Sequence, residues 1–185
     1  MADGLLLGWR LKMKFINREK VLTKRLTLRP IVEIDFDNLI DIFYSEEVKK
    51  TFMLPDFSSR EDALKLANRF RDLSRDNTRF VYGICLDNRL IGFVNDVFIG
   101  KNLVELGYVI APSFKNNGYA TEALSACIKE IFESGFTTVK TGAFEENLAS
   151  QRVMQKCGMA LTGEEERIEY RGKIHNCKYY QIDKV

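Results

Sequence analysis

Apolar and polar residues change their period along this chain, and each change marks an element. Arg25-Leu26-Thr27-Leu28-Arg29 alternates polar with apolar, the period of a half-buried strand, and Pro30 ends it. From Asp35 to Tyr44, apolar residues fall at 36, 39, 40 and 43, one face of a helix. A further helical turn is expected over 45–53, broken by Pro55. Ser58-Ser59-Arg60-Glu61-Asp62 sets a serine cap ahead of acidic residues, which starts a helix running to about residue 75. Its inward positions are Ala63, Leu66, Ala67, Phe70 and Leu73.

Residues 80–86 (FVYGICL) and 90–99 read as strands joined by a tight turn at Asp87-Asn88. Gly100-Lys101-Asn102 turns the chain into a third strand over 103–111 (LVELGYVIA). A helix opens at Gly118, carries a stripe of Leu124, Cys127, Ile128 and Ile131, and stops at Gly135. A strand over 139–144 and a helix over 149–156, stopped by Gly158, follow. Residues 161–170 and 174–182 close the chain as a hairpin turned at Arg171-Gly172. The order β-α-α-β-β-β-α-β-α-β-β predicts an α/β domain: a mainly antiparallel sheet flanked by helices, with a central parallel β-α-β step. No repeat or linker interrupts it. We read 21–185 as a single domain and 1–20 as an N-terminal extension without clear period.

Charge narrows the function classes. The chain carries 28 basic and 26 acidic residues, net +2, which argues against a dedicated nucleic-acid binder. Its four cysteines (85, 127, 157 and 177) form no C-x-x-C, and His175 is its single histidine, so no zinc-site spacing is present and no metal is expected. The cysteines read as free thiols of a reducing compartment. Leu5 to Leu7 with Trp9 is too short for a signal-peptide core, and no segment reaches the length of a membrane span. The reading is a cytoplasmic protein without a membrane partner.

Candidate chemistry sits at Phe114 to Ala123, FKNNGYATEA. A helix that begins straight after a strand leaves its first N–H groups without internal partners, and its dipole adds roughly half a positive charge there. Gly118 permits close approach, Ala120 is small, and Lys115 adds a full charge, so the corner suits a phosphate. It matches neither the P-loop nor the dinucleotide fingerprint. Downstream, Asn147-Leu148-Ala149-Ser150 opens the next helix. Asn and Ser are good residues for a helix start, which accounts for their types but not for their pairing with the loop one βα unit earlier.

Together these segments resemble the GNAT superfamily of N-acetyltransferases and, more narrowly, its RimJ/RimL branch, first associated with N-terminal alanines of ribosomal proteins. The resemblance covers residues 22–183. The family's loop, Q/R-x-x-G-x-G/A, reads here Lys115-Asn116-Asn117-Gly118-Tyr119-Ala120, followed by Thr121-Glu122-Ala123. Glu105-Leu106-Gly107-Tyr108 matches the branch's E-I/L-G-Y segment, and Asn147-x-x-Ser150 with Lys156-x-Gly158 matches its N-x-x-S…K-x-G-F. Two positions depart: Lys115 stands for Gln or Arg, keeping charge but losing the planar fork, and Met159 stands for Phe, a core filler.

The resemblance implies a GNAT-like fold whose strand 103–111 splays from strand 139–144. It implies acetyl-CoA as co-substrate and direct acetyl transfer to a primary amine, either a protein N-terminus or a small molecule. Backbone N–H groups from Asn116 to Thr121, through Asn117, Gly118, Tyr119 and Ala120, would hold the pyrophosphate. Tyr108, Val109 and Ile110 would pair with the pantetheine arm like an added strand, and Asn147 would bond its end. Backbone N–H groups near Val109 and Ile110 would serve the thioester oxygen. Ser150 would donate to the departing thiolate. Two glutamates compete as base: Glu105, acting through water, and Glu169 on the terminal hairpin. This branch often forms homodimers. Two other readings stand beside it: a catalytically inactive CoA-binding interaction module, and a small-amine or antibiotic acetyltransferase.

Overall fold

A computed structural model describes residues 15–16 and 19–185. β1 (Val21–Leu22), β2 (Leu26–Arg29), β3 (Val81–Leu86), β4 (Arg89–Ile99) and β5 (Leu103–Ile110) pair in sequence, each antiparallel to the last. β6 (Thr138–Phe144) joins β5 in parallel. The hairpin of β7 (Ala160–Tyr170) and β8 (Lys173–Asp183) attaches to β6 through β8, giving the order β1-β2-β3-β4-β5-β6-β8-β7. The mainly antiparallel sheet with one parallel step is therefore the architecture the chain adopts.

Helices α1 (Phe36–Tyr44), α2 (Glu46–Lys49) and α3 (Arg60–Leu73) precede β3, α4 (Tyr119–Glu133) crosses from β5 to β6, and α5 (Leu148–Lys156) leads into β7. Leu124, Cys127 and Ile131 of α4 and Met154 of α5 pack with Val94, Val104, Leu106 and Val139 on one face of the sheet. Leu39, Ile40 and Phe43 of α1 and Ala63 and Ala67 of α3 pack with Val81, Phe93 and Val109 on the other. β3 and β4 lie between the two layers, which explains why VYGIC and LIGFV are buried runs rather than alternating ones. Phe43, Phe70 and Phe93 meet edge to face within the second layer. Met159 is 4% exposed within the first, so the branch's Phe position packs here with Met.

The expected extra helical turn over 45–53 takes a different form. Ser45 leaves α1 at ψ 111° and its hydroxyl accepts the Val48 N–H, so it ends one helix and caps the four-residue α2. A serine that bonds nearby backbone competes with helix continuation. The tight turns at Asp87-Asn88 and Arg171-Gly172 carry positive φ at both residues, as two-residue hairpin turns require. Of the segment read as an extension, residues 1–14 and 17–18 lie outside the described residues. Phe15 is buried against Phe80 and Phe136.

The feature that positions a site is the parting of β5 and β6. They pair only from Leu103/Thr138 to Leu106/Thr141. Beyond that point Gly107 to Ile110 stay with β4, while Gly142 to Phe144 stay with β8. Thr141 Oγ1 donates to Leu106 O at 2.7 Å where the strands separate. Val97 is an extra residue in β4 opposite this point, since Asp96 pairs with Leu106 and Phe98 with Glu105; such a bulge increases local twist.

Candidate active site

Between the parted strands lies a cavity of about 590 Å³. One wall is the corner after β5. Gly118 is the N-cap of α4 at φ +79°, a conformation that favours glycine, and Asn116 is also left-handed at φ +64°. α2, α3 and α5 are capped by Ser45, Ser59 and Asn147, whereas α4 has no side-chain cap. The first bond of α4 runs from Glu122 N–H to Gly118 O, which leaves the N–H groups of Tyr119, Ala120 and Thr121 outside the helix ladder. Free N–H groups and a helix dipole at one spot are a chemistry suited to a phosphate.

Arg25 fastens this corner from β2. Its side chain bonds Glu122 at 2.7 Å and Asn117 O at 2.9 Å, and its guanidinium lies 4.6 Å from the Tyr119 ring centroid. Burial pushes Glu122 up, but hydrogen bonds from Thr23 and Arg25 outweigh it and hold the carboxyl below its ordinary range. Lys115 reaches across to Glu47 of α2 at 2.7 Å.

The opposite wall is the first turn of α5. Asn147 Oδ1 accepts the Ser150 N–H at 3.1 Å, a cap that stabilises the helix by about 1 kcal/mol. This commits the oxygen and leaves the Asn147 amide NH2 for a ligand. Ser150 Oγ lies 2.6 Å from Tyr108 Oη. Burial raises the Tyr108 phenol well above its ordinary value, so it stays protonated.

The structure brings Tyr108, Val109, Ile110, Asn147 and Ser150 to one cavity with Lys115, Asn116, Gly118, Tyr119, Ala120 and Thr121. Asn117, Glu105 and Glu169 lie outside its lining. Asn117 folds its amide back onto Phe114 O and Lys115 O. Glu105 is on the sheet face away from Tyr108, half-buried, with Lys140 Nζ at 3.9 Å; desolvation raises its pKa. Glu169 is exposed and pairs with Ile174 beside the hairpin turn.

The cavity also gathers residues to which the sequence reading gave no binding role, although Lys156 stood in the K-x-G-F match. Arg152 and Lys156 line it one helical turn apart on α5, exposed cations suited to phosphate oxygens. Their i, i+4 spacing, on the helix that opens at Asn147, is the signal that could have found them. Lys50, Thr51 and Phe52 line it from the segment after α2; no local motif marks them. The hairpin tip is pinned to α2 and to that segment: Arg171 pairs with Glu46 at 2.8 Å, and Tyr170 Oη donates to Leu54 O at 3.0 Å.

Known proteins resemble this chain in sequence and in fold. In Bacillus subtilis (strain 168), the uncharacterized N-acetyltransferase YnaD is 30% identical over 146 residues, 77% of this chain and 84% of its own length. The uncharacterized N-acetyltransferase YoaA of the same organism is 27% identical over 168 residues, 88% and 95%. Among solved structures, RimL, the ribosomal L7/L12 alpha-N-protein acetyltransferase in complex with coenzyme A, has the same fold: TM-score 0.80 at 20% identity, over 89% of this chain and 98% of that one. Residues 25–160, which hold the splayed strands, the α4 corner and all of α5, match the model of the acetyltransferase (GNAT) domain, and the chain belongs to that family of acetyl-transferring enzymes.

Proposed function

We propose that this enzyme moves the acetyl group of acetyl-CoA directly onto a primary amine, with the α-amino group of a peptide or protein as acceptor. One observation carries the reading: the uncapped start of α4 and the Ser150 hydroxyl share a single cavity opened where β5 leaves β6. The α4 corner takes the pyrophosphate, with Arg152 and Lys156 as neighbouring cations. The unpaired edges of β5 and β6 take the pantetheine arm, and Asn147 donates to its end through Nδ2.

The amine nitrogen then attacks the thioester carbon. Main-chain N–H groups around Val109 and Ile110 receive the charge that develops on its oxygen. The C–S bond breaks, and the sulfur leaves with its electron pair towards the Ser150 hydroxyl. The amine proton passes to a base, for which Glu105, acting through water, is preferred over Glu169. Burial already raises Glu105 towards the range a base needs. RimL, a ribosomal L7/L12 alpha-N-protein acetyltransferase of the same fold, supports a peptide acceptor.

The test is acetyl-CoA turnover by the full chain against peptides with varied N-termini, polyamines and aminoglycosides. Free-thiol release and the mass of the acceptor are read together. Acetylated peptide N-termini are expected. Acetylation confined to small amines replaces the acceptor class. CoA binding without thiol release on any amine replaces the enzyme with a non-catalytic CoA-binding module.

A further inference from the structure

Tyr108 and Ser150 are 42 residues apart, and one phenolic hydroxyl joins them. Tyr108 Oη lies 2.6 Å from Ser150 Oγ and 3.2 Å from the Ser150 carbonyl oxygen. Tyr108 points from β5 into the layer of α4 and α5, so its ring packs while its hydroxyl reaches the first turn of α5.

A protonated phenol brings a single hydrogen. If that hydrogen goes to the Ser150 carbonyl, the serine hydroxyl is drawn towards Tyr108 and is spent there. If it goes to Ser150 Oγ, the serine hydrogen is released into the cavity. Two hydroxyl rotations separate these arrangements. In the second, the serine donates while its own oxygen accepts, and a donor polarised in this way bonds an anion more strongly. A serine alone also has freedom about its Cα–Cβ bond, and the bond to Tyr108 removes it.

We infer that Tyr108 is a positioning residue that holds Ser150 as the hydrogen-bond donor to the sulfur of CoA, in a chain Tyr108 to Ser150 to sulfur. The inference rests on the reading of Ser150 as the group that meets the sulfur. It requires no proton from the tyrosine. When the C–S bond breaks, the sulfur keeps the electron pair, and the two hydrogen bonds shorten towards it. The same chain stabilises the thiolate of bound CoA in the absence of any acceptor.

The thiolate of reduced CoA absorbs in the ultraviolet, so its titration in the complex tests the chain without turnover. The bound thiol is expected to ionise at lower pH than free CoA. Tyr108→Phe, which keeps the ring, is expected to move that titration up by about half to one pH unit, the scale of one hydrogen bond. CoA affinity should stay within about threefold, since that bond reaches the ligand only through Ser150. Ser150→Ala breaks the chain from the other side and shifts the titration the same way, which serves as the reading should Tyr108→Phe fold poorly. In turnover, Tyr108→Phe is expected to lower kcat about fivefold to tenfold with little change in KM for acetyl-CoA. It should add nothing in the Ser150→Ala background, whereas a purely structural role adds fully. A bound thiol that titrates identically in the parent and both variants overturns this inference alone. Failure of the parent to bind CoA overturns the reading of the cavity as well.

Discussion

Lys115 Nζ lies 2.7 Å from Glu47 Oε1, which ties the cation of the α4 corner, proposed to hold the pyrophosphate, to a carboxylate 68 residues away on α2. Both residues line the cavity, so an incoming pyrophosphate meets a lysine already neutralised and a negative charge beside it. Lys115 holds the Glu47 carboxyl below its ordinary range, which keeps that charge in place. Glu47→Gln is therefore expected to tighten acetyl-CoA binding by about twofold to fivefold, the range of an exposed ion pair. Titration calorimetry at two salt concentrations checks it, because the gain should shrink as screening rises. Unchanged affinity at low salt would show that Lys115 does not serve the cofactor.

Gly118 separates backbone strain from electrostatics. A Cβ there meets only Arg25 Nη2 at 3.4 Å, but the φ of +79° is strained for any other residue. Gly118→Ala is expected to cost about 1–2 kcal/mol of stability while retaining measurable acetyl-CoA binding. Gly118→Glu adds a carboxylate over the α4 N-terminus and should abolish binding beyond that strain. Urea unfolding of both variants, set against their cofactor affinities, distinguishes the two effects; equal affinities would remove the phosphate from this corner.

Asn147 serves α5 with one atom and the proposed ligand with another. Asn147→Asp keeps the oxygen that accepts the Ser150 N–H and places a negative charge at a helix N-terminus, so stability should hold. It loses the Nδ2 donor, so acetyl-CoA affinity should fall. Asn147→Ala should lower both, the stability by about 1 kcal/mol. Melting curves with and without acetyl-CoA check the split, and a parent-like ligand response in Asn147→Asp would confine Asn147 to its cap.

Glu105 gives a pH signature with a definite sign. Desolvation raises its folded pKa, Lys140 opposes this, and Glu164 and Glu166 add to it. A raised carboxyl costs nothing while both folded and unfolded states hold the proton, and it destabilises increasingly as pH climbs through the folded value. Glu105→Gln should therefore be more stable than the parent at neutral pH, with the advantage gone below about pH 4. Lys140 keeps Glu164 at 2.7 Å in that variant. As the base, Glu105 should also set the acid limb of kcat/KM, a limb that Glu169→Gln retains and Glu105→Gln loses. The reverse pattern in a pH–rate profile would move the base to the hairpin.

Much of the fold was legible because its signals are local. Periods of two and 3.6 placed strands and helices, Gly118 marked where α4 starts, and Gly135, Gly158 and the two hairpin turns marked where elements stop. Two features escaped these signals: the two-residue β1 (Val21–Leu22), too short to show a period, and the break at Ser45. A serine inside an apolar period reads as helix, and only its bond to Val48 shows the chain starting again.

The sequence by itself determined the α4 corner and the Asn147-Ser150 turn, since each is built from neighbours a few residues apart. Tertiary structure decided where β5 parts from β6, which fixes the cavity. It also set Tyr108 on Ser150, Glu47 on Lys115 and Arg25 on Glu122, and turned Glu105 to the other face of the sheet. These pairs span from 42 to 97 residues. No periodicity records such contacts, because they form only when the packed sheet brings distant segments together and offsets the entropy of closing the loops between them.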